Sequence, residues 1–323
     1  MSQAADVSVD SEVREVPRLL SVHAHPDDES SKGASTLASY ADRGAQVMVV
    51  SCTGGEAGSI LNEALEARAH AERDIAGLRR SEMAAAQEVL RVEHTWLGFV
   101  DSGMPEDGAV DASSFAGLPL ATAAAPLVRL VRRFRPHVIV SYDENGGYPH
   151  PDHIRAHQVA VEAFRAAGSS EEYPGLGEPW SVSKLYYDRV FSSQKLRAIA
   201  DYLRSRDPED PLLATFEEMR RWNDDTPYLA TTRIVISGFH DRRDAALRAH
   251  ASQVAPDSAF FFLPHEAIDA AWPTDDFQLV ESRVEAPIPE TELFAGIPVA
   301  ELAPAPVVPL IPAEPARPTG ASA

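Results

Sequence analysis

Short, continuously apolar runs alternate along the chain with stretches in which apolar positions recur at helical spacing. Leu19–Ala24 is the first run; Pro26 cannot join a sheet ladder and biases His25 to an extended backbone, so this strand ends at the proline. Helical spacing follows from Ser31, with Gly44 as its stop. Gln46–Cys52 reads as a strand covered on both faces and empties into Thr53-Gly54-Gly55-Glu56. Glu66–Leu90 carries a stripe of Ile75, Leu78, Met83, Ala86 and Leu90 and reads as one long helix. Thr95–Val100 is a third strand, emptying into Asp101-Ser102-Gly103; Pro126–Phe134 is helical, and His137–Tyr142 is a fourth strand. A helix runs from Ile154 to about Ala167. Beyond it the pattern predicts a strand at Lys184–Phe191, helices at Gln194–Arg204 and Leu212–Trp222, a strand at Thr232–Ser237, a helix at Asp241–Gln253 and an edge strand at Phe277–Val284.

Strands alternating with helices mean right-handed βαβ units and a mainly parallel sheet. The expected fold is therefore Rossmann-like α/β, the sheet flanked by helices, with a C-terminal elaboration. No clean linker or internal repeat interrupts it, so residues 17–302 form one domain, with a disordered leader at 1–16 and a disordered Pro/Ala-rich tail at 303–323.

Composition narrows the function. At 323 residues and 44% hydrophobic, the chain can bury a substantial core. A net charge of -20, with no Lys/Arg runs, argues against nucleic acid or an anionic membrane as partner. The single cysteine, Cys52, excludes an intrachain disulfide and a cysteine-based zinc knuckle. The polar, acidic N-terminus does not read as a signal peptide, and no apolar run approaches the roughly 18 residues that span a bilayer. The expected location is the cytoplasm; a homo-oligomer is compatible with the sequence.

Two His/Asp-rich clusters each follow a predicted strand. His25-Pro26-Asp27-Asp28-Glu29 closes the first strand, and Tyr148-Pro149-His150-Pro151-Asp152-His153 follows the fourth. If these strands are neighbours, His25, Asp28 and one histidine of the second cluster form a His/His/Asp site with an open position, the donor set of catalytic zinc. His157, one helical turn after His153, is a rival ligand. A metal ion lowers the pKa of water to about 7 and polarises a carbonyl oxygen. Asp27 is then placed to take the proton from water. Tyr148 and His150 are candidates to stabilise the oxyanion and protonate the leaving group, with Asp152 positioned to orient His150. The reaction class is metal-assisted hydrolysis, most naturally of an amide.

The two clusters together resemble the PIG-L/LmbE-like family of zinc-dependent N-acetylglucosaminyl deacetylases. Within it, the blocks His23–Gly33, His94–Gly103, Tyr142–His153, Trp180–Tyr187, Ala246–Gln253 and Glu290–Ile297 are similar to the amidases that act on mycothiol S-conjugates. The resemblance implies His25, Asp28 and His153 as ligands of Zn2+, or of Fe2+ as in some members. It implies Asp27 as general base, and His150 with a mobile Tyr148 as the acid/oxyanion pair, Asp152 standing behind His150. The implied substrate is a small pseudodisaccharide, glucosaminyl-inositol, whose amine carries an acyl-cysteine substituted on sulfur. Hydrolysis of that amide releases a mercapturic acid. Arg79 and Asp101 are implied partners of the sugar hydroxyls. Lys32, in Glu-Ser-Ser-Lys-Gly, is expected to contact the acyl-cysteine and to favour amidase over plain deacetylase chemistry. The bland alternative for Lys32 is a solvated residue in a helix's first turn, where a cation is mildly unfavourable. Glu56 is a weaker candidate for the substrate pocket, and His250 either lines it or packs in the core.

Other readings fit less well. The nearest is the deacetylase acting on N-acetylglucosaminyl-inositol in mycothiol biosynthesis, or an amidase trimming a mycothiol adduct in natural-product assembly. A non-catalytic sugar-binding module predicts loss of a ligand or of Asp27, and both are present. Magnesium-assisted phosphoryl transfer at Asp27-Asp28 leaves His150 and His153 idle and lacks a phosphate-cradling glycine loop.

Overall fold

The computed structural model describes residues 14–305, apart from 67, 106–107, 191 and 222–226. Strands β1 (Arg18–His23), β2 (Gln46–Thr53), β3 (Glu93–Phe99), β4 (Val138–Ser141) and β5 (Lys184–Asp188) run parallel. Beyond β5 lie β6 (Thr232–Val235) and β7 (Thr274–Ser282), with β7 antiparallel to both β5 and β6. The order is β3-β2-β1-β4-β5-β7-β6. Strand addition therefore reverses direction between β1 and β4, and the crevice at their carboxyl ends is where an open α/β sheet binds its ligand.

The helices are α1 (Asp28–Ser31), α2 (Ala34–Asp42), α3 (Arg68–Ala71), α4 (Ile75–Leu90), α5 (Leu120–Phe134) and α6 (Pro151–Ala166), then α7 (Ser193–Arg206), α8 (Leu212–Arg221), α9 (His240–Ala249) and α10 (His265–Ala271). Strand residues alternate between two cores, which is why the runs are continuously apolar. Leu20, Val22 and Ile139 pack with Leu127 and Val131 of α5 and Val159 and Ala163 of α6. Leu19, Val47 and Val140 pack on the other face with Leu37 of α2, Met83 and Ala86 of α4 and Ala246 of α9. A smaller core joins α7, α8 and α10 through Leu196, Ile199, Phe216 and Ile268.

The structure corrects several expectations. The helix expected from Ser31 begins only at Ala34, because Gly33 adopts φ 85°, a conformation that costs glycine little, and Ser31 instead closes the short preceding helix α1. The long helix expected over 66–90 breaks before α4, where the Asp74 carboxylate accepts from the Gly77 N–H at 2.7 Å. Helix α5 starts six residues before Pro126, its Ala123 and Ala124 buried with Leu127 in one core. The segment expected as an edge strand is β7, an interior strand that begins earlier, at Thr274. Its first residues, Thr274–Asp276, precede the expected span and are acidic, yet Asp276 is buried and accepts from Tyr228 and Trp272 at 2.8 and 3.0 Å. The leader was expected to reach residue 16, but Glu15 bridges to Val299 and its carboxylate meets Arg18 and His137. Ala303, expected in the tail, exchanges hydrogen bonds with Arg43. The remaining expected leader and tail, 1–13 and 306–323, and the expected strand and helix ends Phe191 and Trp222, lie outside the described residues.

Lys184 and Glu290, both fully buried, hold the C-terminal segment to β5. The Glu290 carboxylate also accepts from Tyr186 at 2.7 Å and Thr232 at 2.8 Å. Breaking a buried pair by removing one member leaves an uncompensated charge and costs about 3–5 kcal/mol. Glu290→Ala is expected to lose stability on that scale in urea unfolding. Lys184→Met combined with Glu290→Leu is expected to recover most of it.

Candidate active site

The loop after β1 is clamped before its chemistry begins. The Ala24 N–H donates to the Tyr142 hydroxyl at 2.9 Å and the Ala24 carbonyl accepts from the Thr53 N–H at 3.0 Å. The ends of β1, β2 and β4 are thereby fixed to one another. Asp27 then takes φ 113°, which is unusual for a residue with a side chain. Two contacts enforce it: its N–H donates to the Glu29 carboxylate at 2.9 Å, and its own carboxylate accepts from Arg79 at 3.1 Å. Such strain survives only where the surroundings over-determine it, and it concentrates at functional sites.

His25, Asp28 and His153 converge in the crevice between β1 and β4. Asp28 Oδ2 lies 3.6 Å from His25 Nδ1 and 3.4 Å from His153 Nε2. Three donors each 2.0–2.2 Å from a tetrahedral ion stand about 3.3 Å apart, so the spacing fits. The tautomers fit as well. His153 Nδ1 donates to the Gly146 carbonyl at 2.9 Å, which leaves Nε2 as a bare lone pair, and that atom is buried with no hydrogen-bond partner. A side chain at Gly146 (φ 73°) would meet His153 Cβ at 2.6 Å, so glycine lets the loop cross over the ligand. His25 Nε2 lies 3.3 Å from Asp152 Oδ2 and 3.6 Å from Asp101 Oδ1, so its proton sits there and Nδ1 faces the site. This buried His/His/Asp group is able to bind a metal ion.

The other sequence candidates distribute around this centre. His150 caps α6, its Nδ1 accepting from the Asp152 N–H at 3.1 Å. The Asp152 carboxylate lies within 4.8 Å of ring nitrogens of both His150 and His25, and its hydrogen bonds go to His25 and to the N–H and hydroxyl of Ser102. Tyr148 is half-exposed, its ring edge-on to His153 at 4.5 Å. Arg79, expected to meet the sugar hydroxyls, is buried and donates to the Gly55 and Pro26 carbonyls as well as to Asp27. Asp101 accepts from Gly103 and Ala57, and Glu56 accepts from the Asp101 N–H at 3.0 Å, so the loops after β2 and β3 interlock. Lys32 lies at the end of α1, not in a helix's first turn, and its Nζ donates to Asp28 Oδ1 at 2.6 Å. His157 is drawn off to the Tyr142 carbonyl at 3.1 Å and stands outside the ligand group. His250 is fully buried and meets Glu29 at 2.8 Å.

Electrostatics follow from burial and pairing. Burial raises the Asp27 carboxyl above its usual range; Arg79 opposes this and the neighbouring Asp28 reinforces it. Burial also acts to raise Asp28, but His153, Lys32 and His25 outweigh it and hold Asp28 well below its usual value. Burial takes His153 down to about 3 and lowers His150, so both are neutral at pH 7. Glu29 falls to about 2: burial opposes this, and the His250 charge and hydrogen bond overcome it.

Sequence reasoning did not single out Tyr142, Ser102 or Glu29. Tyr142 stacks on His153 at 4.5 Å and an interplanar angle of 15°. All three lie inside the blocks His23–Gly33, His94–Gly103 and Tyr142–His153, but partners that give them a role, Ala24, Asp152 and His250, are distant in sequence.

Residues 20–164 match the family model "PIG-L: GlcNAc-PI de-N-acetylase". The chain is 45% identical to a mycothiol S-conjugate amidase of Streptomyces coelicolor, over 87% of this chain and 97% of that one. It is 40% identical to a 1D-myo-inositol 2-acetamido-2-deoxy-alpha-D-glucopyranoside deacetylase of Streptomyces scabiei, over 87% of this chain and 90% of that one. In fold it is similar to the N,N'-diacetylchitobiose deacetylase of Pyrococcus horikoshii, with a TM-score of 0.56 at 18% identity, over 81% of this chain and 83% of that one. The chain belongs to the PIG-L family of amidases and deacetylases.

Outer partners of metal-binding histidines typically contribute 10–100-fold to metal affinity. Asp152→Ala frees the His25 ring, and it is expected to weaken divalent-metal binding by that factor in competition with a chromophoric chelator.

Proposed function

We propose that this member of the PIG-L family is a Zn2+-dependent amidase that cleaves the amide joining glucosaminyl-inositol to the acyl-cysteine of a mycothiol S-conjugate, with Fe2+ as an alternative ion. His25, Asp28 and His153 hold the ion. When bound, it supplies Lewis acidity to the amide carbonyl and acidifies water. The observation that carries hydrolysis is the buried ligand triangle beside Asp27, a strained carboxylate whose pKa is raised towards the range useful to a base. The choice of amidase rests on the greater identity to the S. coelicolor protein. Its runner-up is deacetylation of the N-acetyl sugar, the reaction named by the other relatives.

In this reading Asp27 takes the proton from the attacking water, while Arg79 keeps the carboxylate aimed at the crevice. Because His150 Nδ1 accepts from the Asp152 N–H, its proton is on Nε2. A neutral imidazole in that tautomer donates to the oxyanion as the tetrahedral carbon forms. Tyr148, half-exposed at the mouth, adds its hydroxyl when substrate covers it. The leaving amine takes its proton from Asp27, which returns what it removed from water, so the protons balance within one cycle. Asp101 and Glu56, at the carboxyl ends of β3 and β2, form the polar wall on which the sugar hydroxyls rest; Arg79, buried and held by Gly55, Pro26 and Asp27, stands behind it. No helix among the described residues is long and apolar enough to cross a membrane.

Two measurements test this. Asp27→Asn is expected to keep its metal stoichiometry and lose about 10²–10⁴-fold in kcat. Unchanged turnover would remove Asp27 from the mechanism. Side by side on metal-loaded protein, a mycothiol S-conjugate is expected to be cleaved faster than N-acetylglucosaminyl-inositol. The reverse order would make the protein the biosynthetic deacetylase.

A further inference from the structure

A cavity of about 250 Å³ opens at the carboxyl edge of the sheet, on the side of the metal loop away from Arg79 and Asp101. Gly33, next to Lys32, forms one wall, and Val190 and Leu196, just after β5, form another. Ile199, Phe262 and Leu263 close it from the α7 and α10 side. Its charged side chains are occupied among themselves. Lys195 Nζ donates to the Thr274 carbonyl at 3.1 Å and lies 3.8 Å from Asp275, whose other oxygen accepts from Thr36 at 2.9 Å. Arg243 is held by Asp244 and the Phe260 carbonyl, and His240 by Asp269. What the cavity offers a ligand is therefore carbon surface.

The strand order fixes what reaches it. The polar wall of Glu56 and Asp101 follows β2 and β3, the metal-ligand triangle stands over β1 and β4, and the cavity over β5, β7 and β6. An amide with its carbonyl at the triangle extends in two directions, the amine half one way and the acyl half the other. The polyhydroxyl half belongs on the polar wall, so the acyl half is directed to the β5 side, where Ser31, Gly33 and Val190 line the cavity. Lys32 suits that boundary: its ammonium turns back to Asp28, while Ser31 and Gly33 on either side line the cavity.

We propose that this cavity receives the apolar group carried on the sulfur of the acyl-cysteine and selects aryl and larger alkyl thioethers over methyl or absent substituents. This rests on the amidase reading above. The size agrees: an apolar cavity of about 150 Å³ admits benzene, whereas whole drug-sized ligands occupy roughly 300–1,000 Å³. The cavity suits one arm of a substrate, a substituted aromatic ring, and not the pseudodisaccharide.

The test uses the full-length, metal-loaded chain and two conjugates, S-benzyl and S-methyl, together with calorimetric binding of S-benzyl mercapturate, the acyl half alone. Wild-type protein is expected to favour the benzyl conjugate by about tenfold or more in kcat/KM, through KM. Ala259→Trp, at an exposed position on the rim, and Val190→Phe, on the opposite wall, are each expected to erase most of that preference while leaving S-methyl cleavage within about twofold, and to weaken mercapturate binding about tenfold. Equal cleavage of the two conjugates by wild-type protein, or an undiminished benzyl preference in both variants, overturns the proposal. If only the N-acetyl sugar is cleaved, the amidase reading fails by itself. Mercapturate binding then decides the cavity: loss in both variants upholds an apolar subsite, and absent or unaltered binding refutes it.

Discussion

Three consecutive carboxylates, Asp27, Asp28 and Glu29, are drawn into the protein at the end of β1, and each is met by its own cation. Arg79 comes from α4 to Asp27, Lys32 from the end of α1 to Asp28, and His250 from the end of α9 to Glu29. An unpaired buried charge costs several kcal/mol, so none of the three can be removed without leaving its partner stranded. This requirement governs much of the surrounding architecture. Helix α4 must lie beneath the loop after β2, because Arg79 also holds the Gly55 carbonyl. The end of α9 must reach the same place, and Glu82 of α4 fastens it by accepting from the N–H and hydroxyl of Ser252 at 2.7 Å each.

The same pairing separates the roles of three adjacent acids. Asp28 turns one oxygen to the histidines and the other to Lys32, which keeps it ionised and leaves a single oxygen for a metal. Glu29 is spent on structure: it holds His250, Ser30 and the N–H of Asp27. Asp27 is left with a single side-chain contact and about a quarter of its side chain exposed, the one acid of the three open to solvent chemistry. Identical functional groups at successive positions are thus set apart by what stands opposite them, which suits Asp27 to the proposed role of base, Asp28 to that of ligand and Glu29 to that of brace.

This division explains what the sequence could and could not disclose. The apolar runs of β1, β2 and β4 announce a parallel sheet because burial on both faces leaves no alternation, and the two His/Asp clusters announce a centre because each follows such a run. Legibility ends where a residue's meaning depends on a distant partner. Arg79 looks like any helical arginine until the loops at 26 and 55 close on it. Acidic Thr274–Asp276 looks like a loop until Tyr228, Trp272 and Arg233 supply its partners, so β7 was placed too late and at the edge. Asp152 reaches its sequence neighbour His150 through its backbone N–H, but its carboxylate also hydrogen-bonds His25, more than a hundred positions away, a contact that local sequence does not announce. Local chemistry survives in sequence; the pairing of buried charges does not.

A consequence concerns how this scaffold can change substrate. The ligand triangle, Asp27 and the polar wall are all in place by His153, whereas the apolar cavity is built mostly from residues after β5. Reaction and acyl-side recognition would then occupy separate stretches of chain, free to vary independently, were it not for His250. That residue lies in the later stretch, yet it pairs with Glu29, which in turn holds the backbone N–H of Asp27, the proposed base. Changes in the C-terminal elaboration are therefore free to reshape the cavity around Val190, Ile199 and Phe262 only while α9 keeps delivering an imidazole to Glu29. The elaboration is bound to the catalytic loop by one buried ion pair, and diversification of the pocket has to proceed around it.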